Sequence, residues 1–357
     1  MASLIDDLKR FSGRRVLITG HTGFKGSWLT LLMLKAGARV SGYALPPATD
    51  PSHWQLLNLT GEVESHEQDI RDLSALESVM RQCRPEVVFH LAAQALVRAS
   101  YRDPYGTFST NILGSANVLE AVSRQPSVQT LVYITSDKCY KNKEQLRGYV
   151  ESDELGGIDP YSASKAAAEH VFSGYMNSVF QVPDSVRAAS ARAGNVVGGG
   201  DWSQDRLIPD CIRSATGSRV INLRFPQATR PWQHVLEPLS GYVRLAVALQ
   251  EQQLPHGAAW NFGPPEESVH QVKEVTEILV QRWDARVTTN IEGSTSNFHE
   301  AGLLQLNSEK AHTLLDWRPR WSFQETIERT TDWYRQFYSG TDARDLSMAD
   351  IGAYCQT

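Results

Sequence analysis

Short apolar runs and helically spaced apolar positions alternate through the first half of the chain. RVLITG (15–20) is an apolar run that stops at a glycine, and GSWLTLLMLKAG (26–37) continues at helical spacing. ARVSGYAL (38–45) and EVESHEQDI (62–70) predict a second and a third strand, and DLSALESVMRQC (72–83) a helix. PEVVFHLAA (85–93) predicts a fourth strand and NILGSANVLEAVSRQ (111–125) the helix after it. TLVYITS (130–136) and DSVRAASARAGNVVG (184–198) supply a fifth and a sixth strand, with the helix SASKAAAEHVFSGYMNSV (162–179) between them. Strands spaced by helical segments imply right-handed crossovers, so the expected class is α/β with a Rossmann-type doubly wound parallel sheet.

The texture changes near Gly198. GGGDWSQD is a glycine-rich loop, and RVINLRFPQATRPWQHV (219–235) reads as a hairpin carrying basic residues. The helices VHQVKEVTEILVQRW (269–283) and FQETIERTTDWYRQF (323–337) are separated by short strands. This predicts a smaller mixed α/β domain. The expected layout is 1–197 for the sheet domain, with a return segment near 232–261, and 198–231 plus 262–357 for the second domain.

Composition narrows the function classes. The chain has 357 residues, 41% of them hydrophobic and 21% charged, as in an ordinary globular protein. A net charge of −5 lacks the basic surplus of a nucleic-acid binder. The four cysteines (Cys83, Cys139, Cys211, Cys355) form no C-x-x-C pair, so no metal site and no disulfide framework is expected. MASLIDDLKRFSGRR lacks the apolar centre of a signal peptide, and WLTLLML is stopped by Lys35. The expectation is a cytoplasmic protein with no membrane partner.

Two clusters carry candidate chemistry. Gly20, Gly23 and Gly26 follow the first strand and open the first helix, where a backbone free of side chains can approach a pyrophosphate at a helix N-terminus. The end of the second strand, SGYALPPAT, offers neither an acid for an adenosine ribose nor an arginine for a 2′-phosphate, so these residues leave NAD and NADP open. Tyr161 and Lys165 lie one helical turn apart on one face, and a nearby ammonium favours a phenolate base. Ser136 ends the fifth strand, followed by the charged pair Asp137–Lys138.

Taken together, TGHTGFKG, HLAAQ, TSDKCY, YSASK and RAGNVVGGGDW resemble the extended short-chain dehydrogenase/reductase family, over nearly the whole chain. The nearest branch is the nucleotide-sugar 4,6-dehydratases. The resemblance implies an NAD-binding first domain and a sugar-nucleotide-binding second domain. By similarity, Ser136 binds the sugar 4-hydroxyl, Tyr161 takes its proton, and Lys165 holds the nicotinamide ribose and lowers the tyrosine pKa. Gly20, Thr22, Gly23, Phe24 and Gly26 would surround a tightly held NAD at its pyrophosphate, with Asp69 and Ile70 beside the adenine. Leu91, Ala92, Ala93 and Gln94 would pass beneath it, with Asn111 nearby. Asn195, Arg206 and Arg230 would face the substrate, while Arg192, Arg219 and Arg224 have weaker claims. The wording of GHTGFKGSWL and TSDKCY further implies CDP-glucose as the sugar nucleotide and a surface-polysaccharide (lipopolysaccharide O-antigen) setting. Helices beginning near Asn111 and Tyr161 imply a homodimer or tetramer.

The implied reaction is lyase chemistry: oxidation at C4, loss of water across C5–C6, and hydride return to C6. Asp137 is the expected acid toward the leaving hydroxyl. For the C5 base three readings stand: Lys138 itself, Asp137 in both roles with Lys138 orienting substrate, or another residue. A nucleotide-sugar 4-epimerase or reductase shares Ser136, Tyr161 and Lys165 but does not need a charged pair after the serine. A non-catalytic dinucleotide sensor does not need the tyrosine and lysine.

Overall fold

The computed structural model describes residues 3–181, 186–265, 268–284, 286–291 and 304–357. Six strands follow the predicted order: β1 (Arg15–Thr19), β2 (Arg39–Ala44), β3 (Val63–Glu67), β4 (Val87–His90), β5 (Thr130–Ile134) and β6 (Arg187–Ala193). Positions 184 and 185 of the predicted sixth strand lie outside the described residues. The chain then leaves the sheet through β7 (Val220–Leu223) and β8 (Thr229–Pro231) and returns as β9 (Ala259–Phe262). The sheet order is β3-β2-β1-β4-β5-β6-β9, with every neighbouring pair parallel.

Burial explains why the central strands read as apolar runs rather than alternating ones. β4 and β5 are buried at every position because helices cover both faces. On one face Trp28, Leu29 and Leu32 from the helix Phe24–Lys35 meet Leu239, Tyr242 and Val243 from the helix Leu236–Gln250. On the other, Leu76 and Met80 of the helix Leu73–Cys83 pack with Val118, Leu119 and Phe172. The edge strand β3, VESHE, has no fully buried residue, as suits a strand with water along one side. Among the described residues no helix is long and apolar enough to cross a membrane.

The smaller part has its own core of Ile208, Cys211, Ile212, Leu279, Ile327 and Trp333. Here the expected hairpin is not found. β7 pairs in parallel with β11 (Thr288–Ile291), and β8 pairs antiparallel with β10 (Val269–Gln271), both far along the chain. The connection explains this: the carbonyls of Pro226 and Ala228 accept from Lys273 and Val272, the opening amides of the helix Val272–Trp283. A helix N-terminus has taken the polar groups that a hairpin would have paired across its strands.

The helix expected to begin near Asn111 also differs. It opens at Pro104, where the Asp103 carboxylate accepts from the Gly106 amide and proline occupies the first turn. It passes through a π-helical turn, Ser109–Gly114, before continuing as Ser115–Ser123. Asn111 therefore lies inside the helix. The helix Pro160–Met176 begins where expected, capped by Asp159 on the Ser162 amide.

Candidate active site

The C-terminal ends of β1, β4, β5 and β6 point to one edge of the sheet, where a doubly wound fold binds ligands. At β1, Gly20 has φ +78° and a Cβ there would meet the Ala92 nitrogen at 2.7 Å, so only glycine fits. A Cβ on Gly26 would stand 2.0 Å from the Gly20 carbonyl oxygen, and Gly23 is exposed at the mouth of the turn. Gly23 precedes the helix Phe24–Lys35 with no side-chain cap, leaving its first amides open to an anion. A dinucleotide pyrophosphate fits this cradle. Thr22 is pinned by its hydroxyl to the Leu45 carbonyl at 2.8 Å, and Phe24 is half-buried.

Beyond β4, the segment Leu91, Ala92, Ala93 and Gln94 is held from two sides. Ala92 donates its amide to Thr19 Oγ1 at 3.2 Å. Asn111 accepts from the Gln94 amide at 2.8 Å, donates to the Gln94 carbonyl at 3.0 Å, and donates to Ser164 Oγ at 2.8 Å. Asn111 thus ties this segment to the helix that carries Tyr161. Ile70 is buried against Gly114, whereas Asp69 is bound by Arg71, whose guanidinium holds the carboxyl below its usual range.

At the end of β5, Ser136 caps the short helical turn Asp137–Cys139, accepting the Lys138 amide at 3.2 Å and donating to Asp137 Oδ1 at 2.8 Å. Asp137 is buried, and burial raises its pKa against the pull of Lys138, Ser136 and Lys25. A carboxyl that keeps its proton can serve as an acid. Lys138 is half-buried beside it. Tyr161 is pushed up to about 12 by burial; the Ser136 hydrogen bond and the Arg206 charge pull down, while Asp137 pushes up. Lys165 itself is pulled down to about 8 by burial, with Glu169 and Cys139 opposing.

Two features were missed in the sequence. Lys25 stands inside the glycine turn, and burial pulls its ammonium down to about 8, with Arg206 and Lys165 pushing the same way against Asp137. A charged residue where the helix opens was the available signal. The second is the pairing of Arg206 with the buried Asp201 at 3.0 Å, which holds its guanidinium within electrostatic reach of Tyr161. Asn195 is exposed just past β6. Arg230 sits on β8, donating to the Thr229 carbonyl at 2.7 Å. Arg192 is not a substrate-facing cation: it is buried and paired with Glu169 at 2.7 Å.

The family model described as GDP-mannose 4,6 dehydratase matches residues 17–330. A CDP-glucose 4,6-dehydratase of Salmonella typhimurium is 44% identical, over 98% of both chains. Among solved structures, an epimerase of Methanothermobacter thermautotrophicus superposes with a TM-score of 0.80 at 25% identity, covering 94% of this chain and 96% of its own. A Thermus thermophilus UDP-glucose 4-epimerase in complex with NAD gives 0.75 at 28% identity, covering 90% and 99%.

Proposed function

We infer that the chain, which belongs to the GDP-mannose 4,6 dehydratase family within the extended short-chain dehydrogenases, is an NAD-dependent nucleotide-sugar 4,6-dehydratase acting on CDP-glucose. The observation that carries this reading is the unit Ser136–Asp137–Lys138 at the end of β5, a hydroxyl bonded to a buried carboxyl and followed by a lysine, beside Tyr161. Cytidine rests on the Salmonella relative, and NAD on the glycine cradle together with the Thermus epimerase.

NAD, which Gly20, Gly23 and Gly26 would hold, would supply the hydride acceptor for C4 of the hexose and the hydride donor for C6. The rest falls to side chains. Tyr161 takes the proton of the 4-hydroxyl, which Ser136 orients, and Lys165 fixes the ribose next to it. The 4-ketone acidifies the C5–H; Lys138 removes that proton and returns it to C5 once C6 has received the hydride, and Asp137 donates its own proton to the 6-hydroxyl, which departs as water. Arg206 and Arg230 pair with the diphosphate, for which a guanidinium fork is suited, and Asn195 lines the sugar side. The alternative, a 4-epimerase, accounts for Ser136, Tyr161 and Lys165 but gives the charged pair no task.

The helix Pro104–Ser123 exposes Tyr105, Phe108 and Leu113, and Tyr101 lies just before it. A second copy covering this apolar strip makes the protein a homodimer. The setting is cytoplasmic synthesis of deoxysugars for surface polysaccharide. Incubation with CDP-, dTDP- and GDP-hexoses tests the reading: a 4-keto-6-deoxy product should form from CDP-glucose. An epimerised hexose retaining its 6-hydroxyl would overturn it.

A further inference from the structure

Behind Lys165 lies a buried ionic cluster that the mechanism above leaves unused. The helix Pro160–Met176 sets Lys165 and Glu169 four residues apart, on one face, and both are buried. Glu169 is anchored from the strands beneath it. Thr135 donates to Oε1, Ser190 donates to Oε2 at 3.0 Å, and Arg192 Nη2 donates to Oε2 at 2.7 Å. The side chains of Arg192 and Glu169 are 5% and 3% exposed. Arg192 is fixed in turn, donating to the Tyr140 hydroxyl at 2.8 Å and the Glu151 carbonyl at 3.1 Å, and Tyr140 donates to Asn261 Oδ1 on β9 at 2.8 Å. A carboxylate with three donors from two strands has no freedom to move, and Thr135 is the residue directly before Ser136.

We propose that Glu169 is a positioning residue for Lys165: it ties the helix that carries Lys165 to the strand end bearing Ser136 and, from one helical turn away, keeps the ammonium charged. The proposal rests on the assignment of Lys165 to the reaction. Burial pulls the Lys165 ammonium down to about 8, and Glu169 is the largest influence opposing it. Other groups do not replace it. The turn packed on this helix brings Asp137, Lys138 and Cys139; burial raises both Asp137 and the Cys139 thiol, favouring their neutral forms. His90 on β4 is buried and held neutral, and Lys25 on the helix Phe24–Lys35 is a second cation. Tyr133 on β5 and Arg192 on β6 face Glu169 from below.

The test is the pH profile of kcat for Glu169→Gln with CDP-glucose. Activity that needs charged Lys165 falls as pH rises through that group's value. Removing the carboxylate should move this alkaline limb down by about one pH unit, a loss of about tenfold at pH ~9 that vanishes near pH ~6. KM for the sugar nucleotide should stay unchanged. The single variant leaves Arg192 buried without its partner, so Glu169→Gln with Arg192→Gln is the companion that strands no charge, and the same limb shift is expected. An unmoved limb in a folded variant, or a loss equal at all pH values, overturns the proposal. Failure of the wild-type protein to make the ketone would instead overturn the functional reading.

Discussion

Ser136 donates to Asp137 Oδ1 at 2.8 Å, and the same hydroxyl oxygen receives the Lys138 amide at 3.2 Å. One side chain thus orients the neighbouring acid and stops the strand beside Tyr161. Ser136→Ala should lower kcat by about 10²-fold, the usual scale for losing one group from a proton-transfer unit, whereas Ser136→Thr retains the hydroxyl and most of the rate. Steady-state ketone formation measures both.

Oxidation and elimination should separate at the next two residues. Lys138→Gln and Asp137→Asn leave Tyr161 and Lys165 in place, so the absorbance of reduced nicotinamide should build up when CDP-glucose is added, while 6-deoxy product does not form. Near-normal turnover of Lys138→Gln would remove that lysine from the base role.

At the glycine turn, space decides. A methyl group at position 26 would stand 2.0 Å from a backbone oxygen, and the backbone cannot yield without unwinding the turn. Gly26→Ala should abolish NAD retention and cost about 1–3 kcal/mol in stability, as overpacking does. Cofactor content after gel filtration and a urea titration report the two effects.

Stability should fall toward alkaline pH because of two buried carboxyls. Burial raises Glu237 from 4.5 to about 7 and Asp350 from 3.8 to about 7. A carboxyl whose folded value is raised contributes fully below its unfolded value, and the contribution is lost as pH rises through the folded one. For Glu237 the gap corresponds to roughly 3 kcal/mol at most. Urea midpoints should therefore drop between pH ~5 and pH ~8, and Glu237→Gln should flatten the slope.

Tyr105 is 84% exposed and Leu113 56% exposed on one helix. Tyr105→Lys with Leu113→Lys should convert a dimer to a monomer by light scattering, with the fold unchanged by circular dichroism. An unchanged mass would place the interface elsewhere.

The central sheet was legible because buried parallel strands read as apolar runs, and because Gly20 and Gly26 cannot be other residues where backbones come this close. Tyr161 and Lys165 were legible from their spacing on a helix that begins at Asp159–Pro160. What escaped depended on partners distant in sequence. Arg192 looks like any basic residue until Glu169, Tyr140 and Thr135 are folded around it. β7 and β8 read as neighbours, yet each is claimed by a strand some 40 to 70 residues further on. Lys25 hid in a motif whose glycines drew the eye, although the surrounding charges make it part of the same electrostatic site.

The π-helical turn Ser109–Gly114 has a consequence for how the chain can vary in length. A π turn holds one residue more than an α turn, so every position after it is rotated relative to an uninterrupted helix. Deleting one residue there would make the local hydrogen bonds more regular. It would also swing Val118, Leu119 and Val122 about 100° away from the sheet and withdraw Asn111 from Gln94 and Ser164. The less regular helix is the one that fits, and this stretch is therefore intolerant of indels even though part of its surface faces water.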